Sequence, residues 1–302
     1  MTKAAPIHPE GRSDCVRQTP EFFVAGRFAE SFAKRGLTSL DAVFAFDSGR
    51  DLVKHNIGRF RRRVQFEAVP ADSPEAVKIF MKRYDRPPFL KQIRNWLCHG
   101  GRRSFAYAER EAIEDLAAAG IGVPHIAACG QQWGFLFERR SFLMTEEIPN
   151  SQSLERRLPA CFADQATPTV LCARRDFIRR LAQFIRRFHA TGRRHRDLYL
   201  SHIFCSDSGE LCLIDLARAS RPLLQRRFQV KDLAQLHYSS PAGRFSRADR
   251  MRFYRAYAGG TKLLSKDKSL IRAVLRKAAR MARHNVKHGA LPPFLDNTEG
   301  GR

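Results

Sequence analysis

The chain has 302 residues, 43% of them hydrophobic, which is enough for a substantial core and excludes a disordered chain. Its 54 lysines and arginines against 30 aspartates and glutamates give a formal net charge of +24. That charge draws the molecule to polyanions, whether nucleic acid, an anionic membrane surface or a phosphorylated substrate, without choosing among them. Seven cysteines with no C-x-x-C pair fit unpaired thiols in a reducing compartment. The N-terminal stretch lacks the apolar run of a signal peptide, and no window reaches the roughly 18 apolar residues of a membrane span. The expected location is cytoplasmic, with any membrane contact peripheral.

Residues 1 to about 20 read as a loose tail, followed by EFFVAGRFAESFAKRGL as a short helix carrying Phe22, Phe28, Phe32 and Leu37. RRRVQFEAV and EAVKIFMKRY read as strands around the turn residues PADSP, with Val64, Phe66, Ile79 and Met81 on a shared buried surface. RRSFAYAEREAIEDLAAAGIGVP is the clearest helix of the first half, ended by Gly120, Gly122 and Pro124. WGFLFERRSFLMTEEIPNSQSLERRL adds two short strands and a connector.

The second half begins with ARRDFIRRLAQFIRRFHATG, whose Phe177, Ile178, Leu181, Phe184, Ile185 and Phe188 form an apolar stripe opposite arginines. HRDLYLSHIF, CSDSG and ELCLIDL read as loop, hairpin and loop. VKDLAQLHYS, RADRMRFYRAYAG and SLIRAVLRKAARMARHNVKHG close the chain as helices. The expected organisation is a tail and short helix over 1–40, a small lobe over 41–144, a hinge at 145–152 and a helical lobe over 153–302.

The stretch HATGRRHRDLYLSHIF sets Asp197 beside His195 and Arg196, and the apolar run that follows ends on Asp215. Phosphoryl transfer needs a carboxylate to orient the attacking hydroxyl, another to hold magnesium and a cation on the α- and β-phosphates. Asp197, in a polar loop after a helix, suits the first role. Asp215 suits the second, because a carboxylate inside LCLIDL is costly to bury without a ligand. His202 stands where the pattern H-R-D-L-x-x-x-N has its asparagine metal ligand. Imidazole binds magnesium less readily than an oxygen donor does, so a hydrogen bond to the aspartate or to phosphate is the other role open to it. VKIFMKRY offers Lys78 and Lys82 for the phosphates, Lys82 lying nearer the strand end, and Glu109, ahead of Glu111, is the candidate acid on the next helix.

On the pieces FMKRY, AEREAIEDLAAAGIGVP, SFLMTEEIP, HATGRRHRDLYLSHIF, LIDLARA and KDLAQLHYSS the chain resembles the lipopolysaccharide core kinases, the group of heptose and Kdo kinases distantly related to protein kinases. The resemblance implies an α+β, two-lobed protein-kinase-like fold with a β-rich N-lobe and a helical C-lobe, using ATP and Mg²⁺. It places the phosphate-binding lysine at Lys82, its acidic partner at Glu109, the catalytic aspartate at Asp197 and the magnesium aspartate at Asp215. Glu146, in TEEIP at the start of the hinge, joins Lys82 and Glu109 on the nucleotide side. The group commonly carries a histidine at the position of His202, a metal candidate beside Asp215. The implied acceptor is a sugar, a heptose first, of the lipopolysaccharide inner core on a phosphorylated lipid at the cytoplasmic face of the inner membrane. Arg194, Arg196 and Arg218, flanking the catalytic loop, are candidates for its acid groups.

Other readings are a Kdo kinase, a small-molecule phosphotransferase of the aminoglycoside or choline type, a protein kinase and an enzymatically silent nucleic-acid-binding protein. Cationic small acceptors favour an acidic cleft, which the arginines around Asp197 oppose. The absent A-P-E and the short segment after Asp215 oppose a protein kinase. Most phenylalanines sit at core-like helical positions and not in an exposed aromatic platform, so no nucleic-acid partner is expected. No G-x-G-x-x-G precedes the strands; DSGRDLVKHNIGRFRR offers only Gly49 and Gly58. The basic face of the last helix suits an anionic lipid surface or, alternatively, packs on its own lobe.

Overall fold

The computed structural model describes residues 15–19, 22–52, 60–161, 167–240, 245–260 and 262–288. In chain order these form β1 (Cys15–Thr19), β2 (Phe22–Ala25), α1 (Ala29–Lys34), α2 (Leu40–Ala45), β3 (Arg50–Asp51), β4 (Arg61–Ala68), β5 (Val77–Asp85), α3 (Phe89–His99), α4 (Phe105–Ala118), β6 (Ile126–Trp133) and β7 (Glu138–Glu146). There follow β8 (Ser151–Ser153), α5 (Leu154–Cys161), α6 (Pro168–Ala190), β9 (Ile203–Ser206), β10 (Leu211–Leu213), α7 (Gln225–Ser239), α8 (Arg247–Ala258) and α9 (Ser265–Lys287). The chain divides into two compact units. The first takes Met1–Gln92, Ser104–Tyr107 and His125–Glu147, and the second Ile93–Arg103, Ala108–Pro124 and Ile148–Arg302.

The first unit is built on an antiparallel sheet in the order β1-β2-β6-β7-β5-β4-β3. Val64 pairs with Met81 and Phe66 with Ile79, and all four are buried, as alternation along the two strands requires. Phe28, Phe32, Val43, Phe142 and Met144 complete that core. The helix expected from Phe22 onward starts only at Ala29: Phe22, Phe23 and Val24 pair instead with β6, because aromatic and β-branched residues beside an available strand edge favour the sheet. Arg83 is buried and donates from Nη1 to the carbonyls of Val43, Phe44 and Phe46 at 2.8, 3.1 and 2.8 Å, satisfying the C-terminal end of α2. Gly49 passes so close to β4 that a Cβ there would stand 2.2 Å from a Val64 methyl. Gly58, the other glycine of the expected phosphate grip, and the first fourteen residues of the expected tail lie outside the described residues.

The second unit carries a three-stranded sheet, β10-β9-β8, and most of the helices. α6 starts on Thr167, whose hydroxyl accepts from the Val170 N–H at 3.3 Å, and buries the predicted stripe from Phe177 to Phe188. α6 packs on α8, and α7 on α9. α9 buries Val274 and Ala278 against its own unit, which is the packed alternative of the two expectations for this helix.

Glu138 at the start of β7 makes the first unit sensitive to pH. Its carboxyl is 3% exposed and accepts from Ser141 Oγ at 2.5 Å and from the Phe105 N–H at 3.0 Å, yet burial pushes its pKa up to about 7. Because the folded pKa lies above the unfolded value of 4.5, the folded state holds the extra proton between those two values. Its contribution to stability is therefore complete below the lower value and lost as pH rises through the upper one. In denaturant titrations from pH 4.5 to pH 8, the wild type is expected to lose on the order of 3 kcal/mol relative to Glu138→Gln. Parallel curves for the two proteins would refute the assignment.

Candidate active site

The catalytic loop grows out of the end of α6. Gly192 takes φ +79°, a left-handed turn that suits glycine, and reverses the chain. Arg194 then pairs with Ser220 through two backbone hydrogen bonds of 2.8 and 3.1 Å, binding the loop to the segment that follows Asp215.

Asp232 of α7 holds the next two residues. It is fully buried and accepts from the N–H of His195 at 2.8 Å and from that of Arg196 at 2.7 Å, one on each carboxylate oxygen. His189 Nε2 lies 3.4 Å from the same carboxylate and its Nδ1 2.7 Å from the Tyr257 hydroxyl. Burial lowers the His189 pKa, so a neutral ring donates to Asp232 and accepts from Tyr257. Gln235 accepts from the Leu198 N–H at 3.1 Å and donates to Asp197 Oδ1 at 3.3 Å, while Ser239 Oγ accepts from the Leu200 N–H at 3.1 Å. Asp232, Gln235 and Ser239 occupy one face of α7 and satisfy the buried N–H groups of a loop that has no strand partner.

Two residues at this site adopt left-handed backbone: Arg196 at φ +66° and Asp215 at φ +56°. Non-glycine residues pay on the order of 1–3 kcal/mol there, which the Asp232 bonds help to offset at Arg196. His195 Nε2–H donates to the Ile214 carbonyl at 3.0 Å, and the Ile214 N–H donates to the His202 carbonyl at 3.0 Å. His202 Nδ1–H donates to the Asp197 carbonyl at 2.7 Å, and its ring stacks on that of His195 at 5.7 Å. The loop bearing Asp197 and the turn bearing Asp215 are thereby clasped together.

Asp197 is one-third exposed and ion-paired with Arg218 at 3.3 Å, so the loop offers a half-open carboxylate beside a cation. Asp215 and His202 are the candidates for a metal. With Nδ1–H committed to the Asp197 carbonyl, Nε2 is the His202 ring atom left to meet a ligand. Among the described residues no group of three or more His, Cys, Asp or Glu is placed to hold an ion. Of the two, the Asp215 carboxylate is the oxygen donor Mg²⁺ prefers, and the His202 imidazole is the weaker ligand for it.

Of the expected acceptor contacts, Arg196 and Arg218 stand at the loop, but Arg194 does not face outward. It is 7% exposed and its Nη1 donates to the carbonyls of His189 and Arg193 at 2.8 and 2.7 Å, so this cation is spent on backbone. Arg193 is also turned inward, onto Asp115 of α4. Lys82 lies in mid-β5, paired with Arg63 and Leu143, whereas Lys78 pairs with Glu147 at 3.1 Å. Glu146 closes β7 with its carboxylate 3.4 Å from Arg27, and burial raises its pKa. Glu109 is buried on α4 in the second unit, and Glu111, the second candidate, is bound to Arg103. Sequence reasoning missed Asp232, Gln235 and Ser239. The available signal was three polar residues at i, i+3 and i+7 on the inner face of KDLAQLHYSS.

The family model "Lipopolysaccharide kinase (Kdo/WaaP) family" matches residues 61–257. The lipopolysaccharide core heptose(I) kinase WaaP of Escherichia coli is 31% identical over 75% of this chain and 86% of its own length. Its Pseudomonas aeruginosa counterpart is 28% identical over 62% and 72%. The 3-deoxy-D-manno-octulosonic acid kinase of Xanthomonas oryzae is 30% identical over 54% and 63%. A solved structure, WaaP in complex with acyl carrier protein, superimposes with a TM-score of 0.60 at 25% identity over 80% of this chain and 91% of its own. The kinase-like α+β fold follows from that likeness.

Asp232→Ala strands two buried N–H groups and is expected to destabilise the protein by about 3 kcal/mol or more in denaturant titration. Asp232→Asn, which keeps one acceptor oxygen, should fall between it and wild type. Equal stability of all three would remove Asp232 from this role.

Proposed function

Since the chain belongs to the lipopolysaccharide kinase (Kdo/WaaP) family, we propose that it transfers the γ-phosphoryl group of ATP to a sugar hydroxyl of the lipopolysaccharide inner core, with a heptose as the acceptor. The observation that carries this reading is the half-open Asp197 carboxylate, fixed by Gln235 and Arg218 on a loop clasped to Asp215. Heptose is preferred over Kdo because the E. coli heptose(I) kinase aligns over 75% of this chain, against 54% for the X. oryzae Kdo kinase.

Asp197 orients the acceptor hydroxyl by accepting its hydrogen bond. As the new oxygen–phosphorus bond forms and the β,γ-bridging bond breaks, the proton passes to Asp197 and ADP leaves. Lys82 neutralises the α- and β-phosphates, Glu109 sets the orientation of that lysine, and Glu146 serves the nucleotide from the end of β7. Asp215 and His202 would hold Mg²⁺, which supplies charge neutralisation at the β- and γ-phosphates. Catalysis then rests on position and charge more than on covalent chemistry.

The acceptor places the enzyme at the cytoplasmic face of the inner membrane as a peripheral protein; no helix among the described residues is long and apolar enough to cross a membrane. On the precedent of the solved relative, acyl carrier protein is the protein partner to test.

Transfer from ATP to purified inner-core acceptors is the decisive assay. Asp197→Ala is expected to lower kcat by at least about 10²-fold with little change in the KM for ATP, and Lys82→Ala to raise that KM. Wild-type rates in Asp197→Ala would overturn the assignment.

A further inference from the structure

The second unit contains a recess of about 840 Å³ that no residue named for catalysis explains. α9 contributes Arg276, Lys277 and Arg280 to its wall, α7 contributes Arg226, Arg227 and Lys231, and Arg94 reaches in from α3. Arg196 and Arg218 of the catalytic segments complete it, and among the described residues no aspartate or glutamate lines it. These elements are far apart in sequence, so the concentration of cations is a product of the fold.

Several of these cations are held by neutral partners. Arg226 donates to Ser269 Oγ at 2.9 Å, Lys231 Nζ donates to the Arg196 carbonyl, and the Arg196 guanidinium lies 4.9 Å above the Phe228 ring. Among the described residues Arg218 alone of this set is paired with a carboxylate, and that carboxylate is Asp197. Nine like charges around one concavity repel one another, and a polyanion relieves that repulsion. The volume lies within the range of about 300–1,000 Å³ typical of small-ligand sites. A flat lipid surface cannot enter a concavity, and the one aromatic face is already covered by a guanidinium, which leaves no stacking platform for nucleic-acid bases.

We propose that this recess is the acceptor subsite and takes a saccharide that already carries several phosphate or acid groups, gripped by Arg276, Arg280, Arg226 and Lys277 while its free hydroxyl lies at Asp197. Arg218 joins the two, since it lines the recess and touches Asp197. The proposal deepens the kinase reading and rests on it for the identity of the reaction. It also orders the chemistry: whatever steps add the anionic groups must precede this one.

The test uses the full chain, wild type beside Arg276→Ala/Arg280→Ala, with thermal melts to confirm folding and Arg226→Gln as a second variant should the double one fail to fold. The substrates are a purified inner-core lipopolysaccharide acceptor in detergent and the same acceptor stripped of phosphate. Each arginine removed is expected to raise the acceptor KM about tenfold while the KM for ATP stays put. Stripping the acceptor should reproduce that loss in wild type and add little to it in the variant. An unchanged acceptor KM overturns the proposal, as does a defect confined to sedimentation with phosphatidylglycerol vesicles, which would make the recess a lipid contact. If wild type transfers nothing, binding of the phosphorylated acceptor without ATP decides separately. Binding that the arginine variant loses keeps the recess and sinks the kinase reading, and no binding sinks the recess.

Discussion

The carboxylate of Asp232 is the constraint on which the site depends. A fully buried carboxylate is tolerated only where hydrogen-bond donors surround it, and this one meets the N–H groups of two consecutive loop residues and the ring of His189. Receiving both N–H groups on one carboxylate turns Arg196 into left-handed backbone and sets the direction in which Asp197 leaves the loop. The helix that carries Asp232 is therefore as much a part of the active site as the loop itself.

The same helix works on two sides. One face, with Asp232, Gln235 and Ser239, satisfies the loop, while Arg226, Arg227 and Lys231 turn toward the recess shared with α9. His189 and His195 do not add to this positive field, because burial lowers the pKa of both. The guanidinium groups of Arg196 and Arg218, which stay charged at any physiological pH, contribute to the field around Asp197, as does the Lys231 ammonium.

What could be read from the sequence was what lies close together along the chain. The strands around Val64 and Met81, the stripe of α6 and the loop from His195 to His202 each announce themselves by periodicity or by a contiguous motif. α3 is the exception: after two prolines, Phe89, Leu90, Ile93 and Leu97 recur at helical spacing, yet all four are exposed, so this apolar stripe does not report a buried face. Asp232 reads as an ordinary surface charge until the loop is folded onto it. Among Arg193, Arg194 and Arg196, only the backbone path decides which side chains turn inward, and no local pattern encodes that path. The recess is assembled from three helices and the catalytic segments, so no single window contained it.

The sheet of the first unit has a consequence for synthesis on the ribosome. β7 lies between β6 and β5 and is the last of the seven strands to be made, so the pair β2–β6 and the pair β4–β5 have no common edge until residue 146 has emerged. Until then the nascent chain carries two half-sheets with open edges, separated by the intervening α3 and α4. Long-range pairing of this kind is slow and leaves strand edges exposed to other chains. The central strand thus acts as a closing step: truncations ahead of it leave edge strands without partners, and the yield of soluble protein depends on how quickly β7 arrives.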